Sequence, residues 1–293
     1  MKVGFVAILG RPNVGKSTLL NAMLSKKVSI VTPKAQTTRD AISGVLTQKD
    51  LQIVFVDTPG IFYGQEKLYG VMKRTAFESS RGVDAVLYLI DASVKSLDDD
   101  LKIFGSIKSD APRFFVLNKI DLIRPERGLE IKEALKEAFP EVPVIEASLL
   151  ENYGIREIKD AVIPLLQEGE PFYPDDVLTD KDESYQAKEV IREKMLHFLR
   201  EEVPHQAAVK IDSISEKDGH LKIKGRIIVE KKAHKAIVIG KGGEMIKKIS
   251  MASRKELERM WHVGISSLQL EVEEIPGWRD DLRKLGDLGY GVE

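Results

Sequence analysis

Cysteine is absent from the 293-residue chain, which excludes a disulfide framework and any thiolate metal site. Long apolar runs are missing too. The longest uninterrupted one is the hexapeptide 85–90, whereas a membrane-spanning helix needs about 20 such residues. There is almost no excess of either charge sign, with a formal net charge of −1, so the chain as a whole is no polyelectrolyte. The five histidines are scattered without ligand spacing and are expected to be solvated or locally hydrogen-bonded. No leader pattern precedes the first apolar run, so a cytoplasmic location is the default expectation. What is present, 43% apolar residues in a chain of this length, suits two globular domains of ordinary size.

The most informative stretch is VGFVAILGRPNVGKSTLL, residues 3–20. An apolar, β-branched run at 3–9 reads as a buried strand, and it enters GxxxxGKS directly before a helical pattern. Glycines at both ends of the loop let successive N–H groups converge on an anion, and the helix behind them points its positive end at the same place. Gly10, Arg11, Pro12, Asn13, Val14, Gly15, Lys16, Ser17 and Thr18 are therefore the expected phosphate contacts. Lys16 is expected on the β- and γ-phosphate oxygens and Ser17 on Mg²⁺.

Up to about residue 166 strand and helix patterns alternate. Strands are expected at 41–47, 51–56, 85–90, 113–117 and 142–146, and helices near 67–80, 97–108, 127–139 and 155–166. Only three residues separate the strands 41–47 and 51–56, so that pair is an antiparallel hairpin. The expected fold is α/β: a phosphate-loop domain over 1–168 with a mixed, mostly parallel sheet and helices on both faces. Ligands in such sheets sit beyond the carboxyl ends of the strands, and every motif here falls at such an end. Asp57-Thr58-Pro59-Gly60 follows a strand, with Asp57 suited to hold Mg²⁺ and Gly60 to offer an N–H to a γ-phosphate. Asn118-Lys119-Ile120-Asp121 follows another. Guanine presents two adjacent donors, which one carboxylate accepts together. Adenine has no such pair, so Asp121 selects GTP and GDP over ATP. Asn118 is expected to tie this loop to the phosphate loop, and the Lys119 stem to cover the base. Ala147, Ser148 and Leu149, after the next strand, are expected to supply a backbone N–H to guanine O6.

These four motifs resemble those of the translation-factor-related GTPases, and Ala35-Gln36-Thr37-Thr38-Arg39-Asp40 resembles the first switch of the Era, MnmE and Der group. The resemblance implies that Thr38 joins Ser17 and Asp57 on Mg²⁺. It also implies that Asn13 coordinates a K⁺ ion standing where an arginine finger would. Ile61 after Gly60 resembles the hydrophobic replacement of the water-positioning glutamine in such GTPases. Lys16, Thr38, Asn13 and Gly60 are then the catalytic set. From the residues alone, Asn13 reads equally well as a turn residue.

Residues 169–184, GEPFYPDDVLTDKDES, hold two prolines and six acids with no apolar period, and read as an interdomain linker. A smaller α+β domain is expected over 185–293, with a helix at 185–202, strands at 206–214 and 221–229, a helix at 244–262 and a strand at 268–272. Ile239-Gly240-Lys241-Gly242-Gly243 lies between helices and resembles the GXXG loop of KH domains, which clamps the backbone of single-stranded nucleic acid. The element order is that of the type II KH variant. Residues 217–259 carry thirteen Lys or Arg against five acids, the electrostatic footprint of a nucleic-acid surface. The expected RNA contacts are Lys235, Ile237, Ile239, Gly240, Lys241, Gly242, Gly243, Lys247, Lys248 and Arg254.

The two halves in this order resemble the bacterial Era GTPases along nearly the whole chain. The resemblance implies a monomeric GTP-hydrolysing switch. It implies binding to the 3′ region of small-subunit ribosomal RNA, a role in maturation of the pre-30S particle, and peripheral association with the inner membrane. Two other classes stay open at this level: a membrane-associated signalling GTPase whose basic domain reads anionic lipid, and a nucleotide-gated RNA chaperone in which hydrolysis is incidental.

Overall fold

Side-chain alternation on the first strand lays out the N-terminal half. In the computed structural model, which describes residues 1–32, 34, 37–62 and 64–291, β1 (Lys2–Gly10) sends Val6 and Ile8 into one core and Ala7 and Leu9 into the other. The same period of two splits β4 (Ala85–Asp91) and β5 (Arg113–Asn118). Leu87, Leu89 and Val116 face the first core, and Tyr88, Ile90 and Leu117 the second. A strand buried on both faces must be apolar at every position, which is why these segments read as continuous runs.

The chain divides into two compact units, Met1–Gly64 with Met72–Asp180, and Gln65–Val71 with Lys181–Glu293. In the first, the sheet order is β2 (Ile42–Gln48), β3 (Leu51–Asp57), β1, β4, β5, β6 (Val144–Glu146), with β7 (Gln167–Glu168) also pairing with β1. β2 runs antiparallel to β3, as the short connection requires, and β7 antiparallel to β1; the other pairings are parallel. The chain leaves β1 for neighbours on both sides, so the sheet's topological switch point lies at its carboxyl end. One core takes up α1 (Lys16–Leu24) and α5 (Ile155–Val162), and the other α3 (Asp98–Gly105) and α4 (Pro125–Ala138). A further helix, α2, spans Lys67–Glu78.

The acidic stretch expected as a linker is largely part of the first unit, which runs to Asp180. The Gln52 side chain is fully buried and recruits it. Its Oε1 accepts from Phe172 and Tyr173 N–H at 2.7 and 3.0 Å, and its Nε2 donates to Tyr173 O at 2.8 Å. Val45 N–H donates to Leu178 O at 2.9 Å, and Asp180 accepts from the Ser43 N–H and hydroxyl at 3.1 Å. The segment so covers the free edge of β2, a common way of blunting an exposed strand. Composition could not show this, because the partners lie 120 or more residues away.

In the second unit, α6 (Glu183–Phe198), capped by the Asp182 carboxylate, is followed by the hairpin β8 (Ala207–Lys217) and β9 (His220–Val229). Then come α7 (Lys232–Ile239), α8 (Glu244–Trp261) and β10 (Gly264–Glu274). The sheet order is β10-β9-β8, with β10 parallel and β8 antiparallel to β9, so the expected α-β-β-α-α-β order holds. β10 is longer than the five residues expected, because its pairing with β9 extends on both sides, from Gly264 and to Glu274, beyond the apolar alternation. Val190, Ile191, Ile223, Ile227, Val238 and Ile249 share one core. A short helix, α9 (Leu282–Asp287), ends the described chain, with Trp278 and Tyr290 buried on either side of it.

Candidate functional site

The phosphate loop joins β1 to α1 at the switch point. Gly15 takes φ +108, a conformation that costs an L side chain strain. Lys16 is almost fully buried. Its ammonium donates to the loop carbonyls of Gly10 and Arg11 at 3.1 and 2.8 Å. Burial lowers its pKa to about 8, against the pull of Asp57 and Asp100. A cleft lined by Pro12, Asn13, Gly15, Lys16, Ser17, Thr18, Thr37, Thr38 and Gly60, with Ile30, Val31 and Thr32, opens over the loop. Within it Asn13 holds φ +64, which asparagine tolerates better than most residues. Ala35 and Gln36 of the first switch lie outside the described residues.

Three oxygens expected around Mg²⁺ do converge. Ser17 Oγ lies 2.9 Å from Thr38 Oγ1 and donates to Asp57 Oδ2 at 2.6 Å. Thr37, by contrast, is occupied within its own loop, donating to Lys34 O at 2.7 Å. Asp57 is fully buried, and burial raises its carboxyl above the usual carboxylate range although Lys16 and three hydroxyls pull the other way. Its Oδ1 is buried with no hydrogen-bond partner among the described residues. Hard oxygen donors around an orphaned carboxylate oxygen fit Mg²⁺ well. The Thr58 hydroxyl fixes the strand end through Ile8 O at 2.7 Å, and Ile61 N–H ties the loop after Gly60 to Gly10 O at 3.1 Å.

The base-reading loops are joined as expected at Asn118. Its Nδ2 donates to Val14 O at 2.8 Å and its Oδ1 accepts from Leu149 N–H at 3.1 Å. Asp121 Oδ1 accepts from the Ser148 hydroxyl at 2.5 Å, so Ser148 sets the angle of the carboxylate. The ammonium of Lys119 is anchored on Asp91 at 2.5 Å. Burial would raise the Asp91 carboxyl, but Lys119 and Ser93 together hold it below its ordinary range. Asp91, at the end of β4, was not legible as a site residue. The N–H groups of 147–149, expected on guanine O6, have protein partners in this structure. Ala147 N–H pairs with Leu117 O, Ser148 N–H with Tyr153 O and Leu149 N–H with Asn118. All three donors are used within the protein in this structure, because the segment continues the β5–β6 pairing and then turns. Asp100 was also missed. It is buried on α3 and accepts from Tyr88 at 3.1 Å and from Arg11 at 3.3 Å. Arg11 therefore faces acids rather than the cleft.

In the second unit, Gly240, Gly242 and Gly243 all hold positive φ, at +74, +59 and +83. A Cβ on Gly242 or Gly243 would meet nothing within 4 Å. Lys241 is exposed, as is Ile237 at 48%. Val238 is buried and Ile239 packs against the core, so α7 is fixed by one face and offers the other. Not every expected RNA contact gathers there. The Lys248 ammonium lies 4.4 Å over the Phe198 ring, and Arg254 pairs with Glu258 at 3.1 Å. Part of the basic excess is also neutralised by acids outside the run: Arg226 bonds Asp212 and Glu273, each at 2.7 Å.

A family model described as a 50S ribosome-binding GTPase matches residues 5–119, and one described as a KH domain matches residues 202–277. The GTPase Era of Thermoanaerobacter sp. (strain X514) is 43% identical over 295 aligned residues, spanning 100% of this chain and 97% of that protein. That of Clostridium acetobutylicum is 43% identical over 290 residues, spanning 99% and 98%. Among solved structures, an Era variant from Aquifex aeolicus bound to GDP and AlF4⁻ is 38% identical with a TM-score of 0.94, over 100% of both chains. An Era complex with MgGDPNP and nucleotides 1506–1542 of 16S ribosomal RNA is similar at 38% identity, with a TM-score of 0.95 over the same full coverage. Identity at this level along the whole of each partner shows the family: the chain belongs to the Era GTPases.

Proposed function

We propose that this GTPase is a nucleotide-driven switch whose KH unit binds the 3′ region of small-subunit ribosomal RNA, and that it assists maturation of the 30S subunit. The observation that carries the reading is the open backbone at Gly242 and Gly243 beside exposed Lys241 and Ile237. It belongs to a chain that matches, end to end, a relative solved with such an RNA. Close approach of a phosphodiester backbone needs uncluttered N–H groups and nearby cations, and stacking of a splayed base needs an exposed apolar side chain.

Chemistry in the first unit rests on positioning and charge. Ser17, Thr38 and Asp57 would hold Mg²⁺, which neutralises charge on the phosphate oxygens. Lys16 gives up two carbonyl bonds to meet the β- and γ-oxygens, and its buried ammonium is worth more there than in water. Gly60 N–H stabilises charge developing on the γ-phosphate as water attacks in line. Apart from Asp57, assigned to Mg²⁺, the described residues at the cleft include neither carboxylate nor imidazole, so no other side chain there is assigned to take a proton from water. Turnover is accordingly slow until a partner raises it.

Asn13 is assigned to a K⁺ ion at the cleft. Hydrolysis is then faster in K⁺ than in Na⁺ at equal ionic strength, and Asn13→Ala removes the difference. Identical rates in the two salts return Asn13 to a turn residue.

The test of the whole reading is titration of the full chain with an oligonucleotide of the small-subunit 3′ sequence and with a scrambled control. Both are measured with GDP and with a non-hydrolysable GTP analogue. Tighter binding of the matched sequence in the analogue state is expected. Equal binding of both sequences, or displacement of the RNA by anionic vesicles at lower concentration, overturns it. The vesicle arm also tests the peripheral membrane association that the family implies; no helix of the described residues is long and apolar enough to cross a bilayer.

A further inference from the structure

Ser29 lies in the polar stretch between α1 and β2, yet it is fully buried. Its hydroxyl donates to Asp57 Oδ2 at 2.9 Å. The same oxygen accepts from Ser17 at 2.6 Å. Two hydroxyl donors converge on Oδ2 and restrain the carboxylate, while Oδ1 is buried with no hydrogen-bond partner among the described residues.

Asn21 fixes Ser29 in turn. Its Oδ1 accepts from the N–H groups of Val28 and Ser29 at 2.8 and 2.9 Å, and its Nδ2 donates to Ser29 O at 2.7 Å. Asn21 sits four residues after Ser17 on α1, so one helix presents Ser17 and holds the clamp. Of the three hydroxyls around Asp57, those of Ser17 and Thr38 are the two with metal roles. Ser29 is the third, with no such second duty.

We propose that Ser29, clamped by Asn21, is a positioning residue that orients the Asp57 carboxylate for Mg²⁺. The proposal rests on the reading of Ser17, Thr38 and Asp57 as the Mg²⁺ site. Groups that orient a metal-binding carboxylate typically cost 10–100-fold in metal affinity when removed. The hydroxyl contributes nothing to nucleotide contact in the absence of metal.

The experiment is release of a fluorescent GDP analogue from the full chain, followed as Mg²⁺ is titrated and again in excess chelator, with thermal melting as a control for folding. In Ser29→Ala the Mg²⁺ concentration that half-slows release rises about tenfold, while the release rate in chelator matches the parent. Asn21→Ala moves the midpoint in the same direction by less, and carries the test if Ser29→Ala does not fold. Ser29→Thr, which keeps the hydroxyl, retains the parent's midpoint. Asp57→Asn is the control for the site itself. A parent-like midpoint in Ser29→Ala, with Mg²⁺ dependence lost in Asp57→Asn, overturns the proposal and leaves the metal site standing. A faster release in chelator without a midpoint shift assigns Ser29 a structural role only and also overturns it. An unchanged midpoint in Asp57→Asn removes the metal site and the proposal together.

Discussion

Gly15 and Gly242 are both positive-φ glycines in loops that lead into a helix, yet their surroundings differ completely. A Cβ on Gly15 would lie 2.4 Å from the Asn118 amide nitrogen, whereas one on Gly242 would meet nothing within 4 Å. Around the first, polar groups are paired within the protein: the buried Asn118 spans two loops and the buried Ser148 braces the exposed carboxylate of Asp121. Around the second, the backbone is open and the nearest cation, Lys241, is exposed. The difference teaches how each ligand is selected. A nucleotide is chosen by matching a fixed donor–acceptor set that the bound base covers, so that a mismatch leaves polar groups stranded. A nucleic-acid backbone is admitted by access and charge, which are sequence-tolerant and sensitive to salt.

The largest effect should come from breaking the match at the base. Asp121→Asn exchanges an acceptor for a donor pair facing guanine's own donors. Two bonds to a charged acceptor, at about 1.5–3 kcal/mol each, make the expected loss of GTP affinity about 10³-fold. Xanthosine triphosphate, whose 2-oxo group accepts a hydrogen bond, should gain. Competition between the two nucleotides measures both, and unchanged GTP affinity would remove Asp121 from the base site.

Gly15→Ala should follow. Left-handed strain of about 1–3 kcal/mol adds to displacement of Asn118. Nucleotide affinity should drop about 10²-fold and the melting temperature should fall, with RNA titration in the absence of nucleotide unaffected. Parent-like nucleotide binding would mean the loop relaxes without Asn118.

Gly242→Asp sharpens the contrast from the other side. No internal overlap is created, and Asp tolerates positive φ comparatively well, so folding and GTP binding should be retained. RNA affinity should fall about tenfold or more, because a carboxylate replaces open backbone where phosphates approach. Undiminished RNA binding would show that the loop is not the RNA site. Smallest of all is Lys241→Ala. It should weaken RNA binding severalfold and make its logarithmic salt dependence shallower by about one contact. A salt slope equal to the parent's would place the Lys241 charge away from the phosphates.

Much of this was decided by the sequence alone. The phosphate loop, the strands carrying it and the hairpin at β2–β3 are legible because local spacing and side-chain period dictate them. So is the order of the second unit, since Gly240–Gly243 can only be a loop between two helices. The base-reading motif is legible for the same reason, each member falling at a strand end. The tertiary structure alone decided which polar groups meet. Ser29 reaches Asp57 across 28 residues, Asp91 anchors Lys119 across 28, and Gln52 holds Tyr173 across 121. It also showed that the N–H groups of Ala147 and Ser148 pair with backbone carbonyls and that of Leu149 with the Asn118 side chain, and that Arg226, Lys248 and Arg254 are engaged by a partner within their own unit. The physical reason is common to all of these. A period or a turn signal is written in consecutive residues, whereas a buried hydrogen bond depends on two distant segments being brought within about 3 Å of each other, and nothing local in either segment records the other.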